Sequence, residues 1–216
     1  TQSLAHNPTG GSITLPVAHR LLQIAARSGL FVVEDDPFAD VLHASQPRLA
    51  ALDQLERVIY LGTFSKTLSA SLRVGYVAAS RSISTALNDM KMLTVVNSSG
   101  YLERMASDLI ASGQYRHHLK RLRERIRKAT ARTMENFDRL GLDVFTPSTG
   151  GYYLWVNLAT ETDDIDLARR AALQGIFIAP GSVFFPDRKH ASPGMRVNVA
   201  YGDDQNFSKF LVHQQT

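Results

Sequence analysis

Cysteine is absent from all 216 residues, which excludes disulfides and thiolate chemistry at once. A chain without structural disulfides suits a reducing cytoplasm, and that is the expected compartment. Long apolar runs are missing too. None approaches the roughly 18 residues that a membrane-spanning helix requires, so no membrane partner is expected. Internal repeats and low-complexity stretches are also lacking, which excludes solenoid and fibrous architectures. Charge is not extreme: the net value is +4 and the sequence pI about 9.5. What remains is a globular composition, 44% hydrophobic and 20% charged, long enough for one large domain or two small ones. The chain opens TQSLAHNPTG without a methionine and runs at once into motif-like residues. That opening reads as the middle of a longer protein.

The segment GSITLPVAHRLLQIAARSG places Leu21, Leu22, Ile24, Ala25 and Ala26 within a helix expected from about Pro16 to Ser28, with Gly29 as its stop. LFVVEDD follows as a short apolar strand ending in three acids. RVIYLGTF and RVGYVAAS repeat the pattern, and such strands separated by helical segments predict a parallel sheet covered on both faces. Residues 81 to 140 read as helical, interrupted near NSSG at 97 to 100, with Leu119, Leu122, Ile126 and Ala129 on one stripe and Gly141 as a stop. DVFTP, GGYYLWVNL and RVNVAYG then read as strands, with helices near 164 to 174 and 203 to 213. The expected division is an α/β part over 1–110 and a smaller α+β part over 111–216, joined by a long helix at about 114–140.

Three weak signals fall on one sheet edge. Asp35 ends a parallel strand, where ligands of α/β sheets gather, although a lone acid there also reads as a helix cap or a loop acid facing water. Lys66 follows the next strand, flanked by Thr63 and Ser65 and followed by Arg73. Hydroxyls with an arginine fork suit a phosphate, and a partly desolvated lysine beside a cation becomes nucleophilic towards an aldehyde. S-K-T is equally ordinary loop composition. Asn7 lies in HNPTG, a turn signal in most settings. Together the three describe a site for an aldehyde-bearing, phosphorylated, cationic pyridine: pyridoxal 5′-phosphate, used as an electron sink. No metal site is expected.

The ordered set AHNPTGGSIT, VVEDDPFADV, YLGTFSKTLSASLRVGYVAAS, GGYYLWVNL, APGSVFFP and MRVNVAYGDD resembles the fold-type I pyridoxal-phosphate-dependent aminotransferases of class I/II, over essentially the whole chain. PRLAALDQLERVIYLGTFSKTLSASLRVGY and YRHHLKRLRERIRKA look closest to the aminotransferase-like domain of MocR-type regulators of the GntR superfamily. The resemblance implies a large domain with a mostly parallel sheet, of which residues 1–110 form the second half, followed by the smaller C-terminal domain. It implies a Schiff base on Lys66, which then shuttles a proton between substrate Cα and cofactor C4′. Asp35 pairs with the pyridinium nitrogen, with Asp36 as fallback. Asn7 bonds the ring O3′, and the Asn7–Pro8 bond is cis in family members. Arg73, Thr63 and Ser65 hold the phosphate, while Arg196, by itself an ordinary strand-edge residue, takes the substrate α-carboxylate. A homodimer, an amino-acid or amine ligand, and DNA contact only through an upstream winged-helix domain are implied as well. The alternative is a stand-alone metabolic aminotransferase. The eight lysines and arginines at 116 to 132, against Glu124 alone, read as a solvated helix face without a nucleic-acid recognition motif.

Two departures bear on activity. The family's ring-stacking aromatic and its Gly/Ser phosphate turn lie upstream of HNPTG. The family also has a tyrosine three residues beyond the pyridine aspartate, and this sequence has Phe38. Without that phenol the charge on O3′ is less stabilised and the imine proton is held more tightly. The expected outcome is retained binding with sluggish transamination and a raised imine pKa. A pH titration of the cofactor absorbance checks it, an unshifted low value counting against it.

Overall fold

The computed structural model describes residues 1–42, 46–145, 150–187 and 191–215. The chain forms two compact units, one of residues 1–4 and 12–123, the other of residues 5–11 and 124–216. The division falls inside the long helix, downstream of the expected boundary near 110, and the HNPTG turn groups with the second unit.

The first unit begins with helix α1 (Leu15–Arg27), which has proline in its first turn, where a missing N–H costs nothing. It stops at Gly29, whose φ of 64° is left-handed, and Leu30 N–H closes back on the Ala25 carbonyl at 2.9 Å. Strand β1 (Val32–Asp36) runs parallel to β2 (Val58–Thr63), with the short helix α2 (Leu49–Asp53) on the crossover. Ala18, Leu49, Ala50 and Val58 form the core that seats α1 and α2 on one sheet face. Strand alternation sends Glu34 and Asp36 to that face and Val33 and Asp35 to the other. Glu34 is fully buried there, its carboxylate accepting the Leu49 and Ala50 N–H groups that open α2, at 2.9 and 2.8 Å, and the Ser3 hydroxyl. The acids of VVEDD therefore divide by parity into structural and outward-facing members.

One expectation about this sheet is corrected. Strand β3 (Gly75–Ala78) pairs antiparallel with β2, so the sheet is mixed. Residues 64–74 are too few to carry a crossover helix, and a chain that short turns straight back.

Helices α3 (Arg81–Thr94), α4 (Gly100–Ala111) and α5 (Gln114–Arg139) follow, with the expected break near NSSG and a second at Gly113, whose φ is 75°. Within the stripe, Leu119 and Ile126 are buried and Leu122 and Ala129 partly so. Helix α5 ends at Gly141, φ 65°, with Leu142 N–H on the Phe137 carbonyl at 3.0 Å. Part of the basic run is internally engaged: Glu124 holds Arg127 and Lys128 at 2.8 and 3.5 Å, and Arg132 holds Asp203 at 2.7 Å. The Arg127 bond pulls Glu124 down to about 2.

The second unit is an antiparallel sheet in the order β4-β5-β7-β6, made of β4 (Asp143–Val144), β5 (Tyr153–Asn157), β6 (Ala179–Pro180) and β7 (Gly194–Asn198). The DVFTP strand is present over its first two residues, and positions 146–149 lie outside the described residues. Helices α6 (Asp164–Ala172) and α7 (Gln205–Gln215) complete the unit. Its core includes Phe137, Leu154, Val156, Ala171, Met195 and Phe210, each 2% exposed or less.

Desolvation is the main cause that raises four phenols above the ordinary value of 10.0. Tyr60 and Tyr115 are raised further by Asp36 and Asp40, Tyr76 further by Asp40, and Tyr152 reaches about 12 with Tyr153 beside it. Above pH 10 the unfolded chain releases these protons before the folded one does, so the folded state binds more protons and stability falls as pH rises. The thermal midpoint is expected to drop between about pH 10 and 12, and Tyr60→Phe to flatten that drop.

Candidate functional site

In the first unit the carboxyl ends of β1 and β2 carry the candidate groups. Asp35 is half-buried on the outward face, and its Oδ2 accepts the Gln2 side-chain amide at 2.8 Å. Its backbone N–H donates to the Thr1 carbonyl at 2.9 Å, which ties β1 to the first residues of the chain. Asp36, the fallback, is committed elsewhere. It is 2% exposed, its Oδ2 accepts Arg48 Nε at 3.0 Å and the Tyr60 hydroxyl at 3.1 Å, and its Oδ1 is buried with no hydrogen-bond partner among the described residues. Burial pushes its pKa up despite Arg48.

Beyond β2 the chain closes a tight turn. Phe64 N–H donates to the Val74 carbonyl at 3.1 Å, and the Phe64 carbonyl accepts Thr67 and Leu68 N–H at 3.3 and 2.8 Å. Lys66 is exposed on this turn. Thr63 Oγ1 donates to Ser65 Oγ at 3.0 Å and accepts Ser65 N–H at 3.1 Å, so the two hydroxyls form one cluster immediately before the lysine. Arg73 is exposed at the far end of the β2–β3 connection, in left-handed backbone with φ 52°. Its guanidinium pairs with no acid among the described residues.

Asn7 and Arg196 lie in the second unit and meet there. The Asn7–Pro8 peptide is cis. Gly10 closes the turn at φ 71°, and a Cβ on it would strike the Tyr153 carbonyl, so only glycine lets HNPTG lie this close to β5. Arg196 Nη1 donates to Asn7 Oδ1 at 2.9 Å. A guanidinium only donates, so the Asn7 oxygen must face it and the Nδ2 amide points elsewhere. The guanidinium carbon of Arg196 lies 4.4 Å from the Tyr153 ring centre and 5.3 Å from that of Phe184, an arrangement that orients the fork without consuming it. Trp155 supports Phe184 edge-on at 6.1 Å. The indole fits because positions 181 and 194 are glycine: a Cβ at either would meet it at 2.6 or 2.5 Å.

The residues that sequence reasoning missed are supports: Gln2 at Asp35, Arg48 at Asp36, and Tyr153 and Phe184 around Arg196. Strand alternation over VVEDD, followed from the buried Glu34, was the available signal for separating Asp35 from Asp36. Among the described residues no cluster of His, Asp and Glu could hold a metal ion.

The donor set can be tested against a phosphorylated pyridine aldehyde. The first unit supplies an exposed amine, a carboxylate held on the outward face, and two clustered hydroxyls with a guanidinium that pairs with no acid among the described residues; the second unit, taken by itself, supplies an amide oriented by an arginine. Each is a group such a ligand requires.

Known proteins similar to this chain include transcriptional regulators and aminotransferases. The chain is 29% identical over 204 residues to an uncharacterised HTH-type transcriptional regulator, YisV of Bacillus subtilis (strain 168), covering 91% of this chain and 41% of that protein. It is 33% identical over 187 residues to 2-aminoadipate transaminase of Thermus thermophilus, covering 83% and 47%. Among solved structures, LysN, an α-aminoadipate aminotransferase of Thermus thermophilus complexed with N-(5′-phosphopyridoxyl)-L-leucine, superposes with a TM-score of 0.88 at 27% identity, over 99% of this chain and 57% of that one. The chain thus spans about half the length of the relatives it matches. The model of the aminotransferase class I and II family matches residues 3–213, nearly the whole chain, and the chain belongs to that family.

Proposed function

We propose that this chain is the pyridoxal 5′-phosphate-binding, aminotransferase-like part of a MocR/GntR-type transcriptional regulator, sensing an amino acid or amine in the cytoplasm as a homodimer. The observation that carries the reading is Lys66 standing on the turn after β2, behind the Thr63–Ser65 hydroxyl pair, with Asp35 outward on the neighbouring strand.

Pyridoxal phosphate, when bound, supplies an electron sink for the pair left at an amino acid's Cα. The chain's own residues do the rest. Lys66 would hold the group at its aldehyde, and its Nζ would take and return the proton at an amino acid's Cα. Asp35 would accept from the ring N–H and keep it protonated. The Asn7 amide donates to the ring oxygen. Thr63, Ser65 and Arg73 hold the phosphate, and Arg196 grips the ligand carboxylate with its two-pronged fork. Phe38, 2% exposed, offers no phenol where the family has one, which favours holding a ligand over rapid turnover.

The 33% identity to a transaminase supports the second reading, a stand-alone metabolic aminotransferase. Incubating the full-length protein with pyridoxal phosphate and a panel of amino acids separates the two. Amino-acid-dependent DNA binding without pyridoxamine phosphate formation supports the regulator. Stoichiometric pyridoxamine phosphate without DNA binding supports the enzyme.

A further inference from the structure

Helix α5 reaches the turn that carries Lys66. Tyr115, in its first turn and 8% exposed, stacks edge-on against Phe64 at 5.6 Å, which aims its hydroxyl. That hydroxyl donates to Asp40 Oδ2 and lies 2.9 Å from Thr67 Oγ1. A phenol has one proton, and Asp40 takes it, so Thr67 must be the donor in the second bond. The Thr67 hydroxyl sits 3.5 Å from the Phe64 carbonyl, a poorer partner for the same hydrogen. The protons therefore run one way, from Thr67 to Tyr115 to Asp40. One turn further along the helix face, His118 Nε2 donates to the Thr67 carbonyl at 2.6 Å. Arg123 Nε reaches the Asp40 carbonyl at 2.9 Å.

Thr67 is bonded directly to Lys66 and is 3% exposed. Asp40 belongs to the DDPFAD loop that continues from Asp35. One helix thus grips both the segment after the lysine and the segment after the ring-binding acid, through a phenol shared between them. We propose that Tyr115, with Asp40 and Thr67, is a positioning residue for Lys66, setting the direction in which its amine leaves the turn. The inference rests on the reading of Lys66 as the covalent attachment point. The turn's own hydrogen bonds fix its backbone, and bonds from an outside helix add the support that holds a functional side chain to one direction.

The test compares Tyr115→Phe, Thr67→Val and Thr67→Ser in the full-length protein. Without cofactor, amide hydrogen exchange at Thr67 and Leu68 is expected to quicken about tenfold in the first two, the upper end of what one intramolecular hydrogen bond contributes, and to stay native in Thr67→Ser. The rate at which pyridoxal 5′-phosphate attaches to Lys66, trapped with borohydride and read by peptide mass, should fall similarly in those two variants. It should be kept in Thr67→Ser, with labelling at Lys120 unchanged in all three. Native exchange in Tyr115→Phe overturns the proposal, as does a Thr67→Ser protein as impaired as Thr67→Val. If the parent protein itself never labels at Lys66, the functional reading fails, while the exchange measurement still decides the positioning role.

Discussion

A Lys66→Ala protein is expected to keep its fold and to lose covalent pyridoxal phosphate. Lys66 is exposed, and the turn bearing it is built from the Phe64 carbonyl and the Thr63 and Thr67 side chains. Truncating an exposed side chain on a turn held by its neighbours should change stability by no more than about 0.5 kcal/mol. The chemistry has no such reserve. In the proposed function the amine is the attachment point and also the group that moves the Cα proton, a role whose loss costs about 10²–10⁴-fold. Borohydride trapping followed by peptide mapping reads attachment, and single-turnover spectroscopy with an amino acid reads proton transfer. Equal labelling of the variant at another lysine, with unchanged turnover, would defeat the assignment.

Adjacent acids are expected to respond in opposite ways. Asp35→Asn should bind pyridoxal phosphate about 10- to 100-fold more weakly, the worth of one charge-assisted hydrogen bond. Its thermal midpoint should stay nearly native, because Asp35 is half-exposed and an asparagine oxygen still accepts the Gln2 amide. Asp36→Asn should show the reverse. Arg48, 19% exposed, would lose its only acidic partner among the described residues while remaining pinned to the Ala39 and Gln46 carbonyls at 2.7 and 3.0 Å. Leaving a largely buried cation uncompensated costs about 3 kcal/mol, several degrees in melting temperature, while cofactor affinity is expected to hold. Equilibrium cofactor titration and thermal unfolding on both variants give the two-by-two answer. A cofactor defect in Asp36→Asn larger than in Asp35→Asn would reverse the roles.

Much of the molecule was legible in the order of residues. Gly29 and Gly141 stop helices because left-handed backbone suits glycine, a local rule that holds wherever the helix ends up. Leu119 and Ile126 share a stripe because the helical period is local as well. The HNPTG, SK and MRVNV motifs were readable as motifs because their chemistry lies in residue type and spacing. What the chain order left open was every choice that depends on a neighbour distant in sequence. RVGYVAAS looks the same as a parallel or an antiparallel strand, and only the short return from Thr63 made β3 antiparallel. Asp35 and Asp36 are identical as letters. Arg48, twelve residues on, and Tyr60, on the next strand, claimed Asp36 and left Asp35 facing outward. Tyr115 looked like one more residue of a basic helix until folding brought its hydroxyl between Asp40 and Thr67. Hydrogen bonds across 48 and 75 positions carry no periodicity, so the sequence determined which chemical groups the chain carries and tertiary structure decided which of them are tied to a distant neighbour.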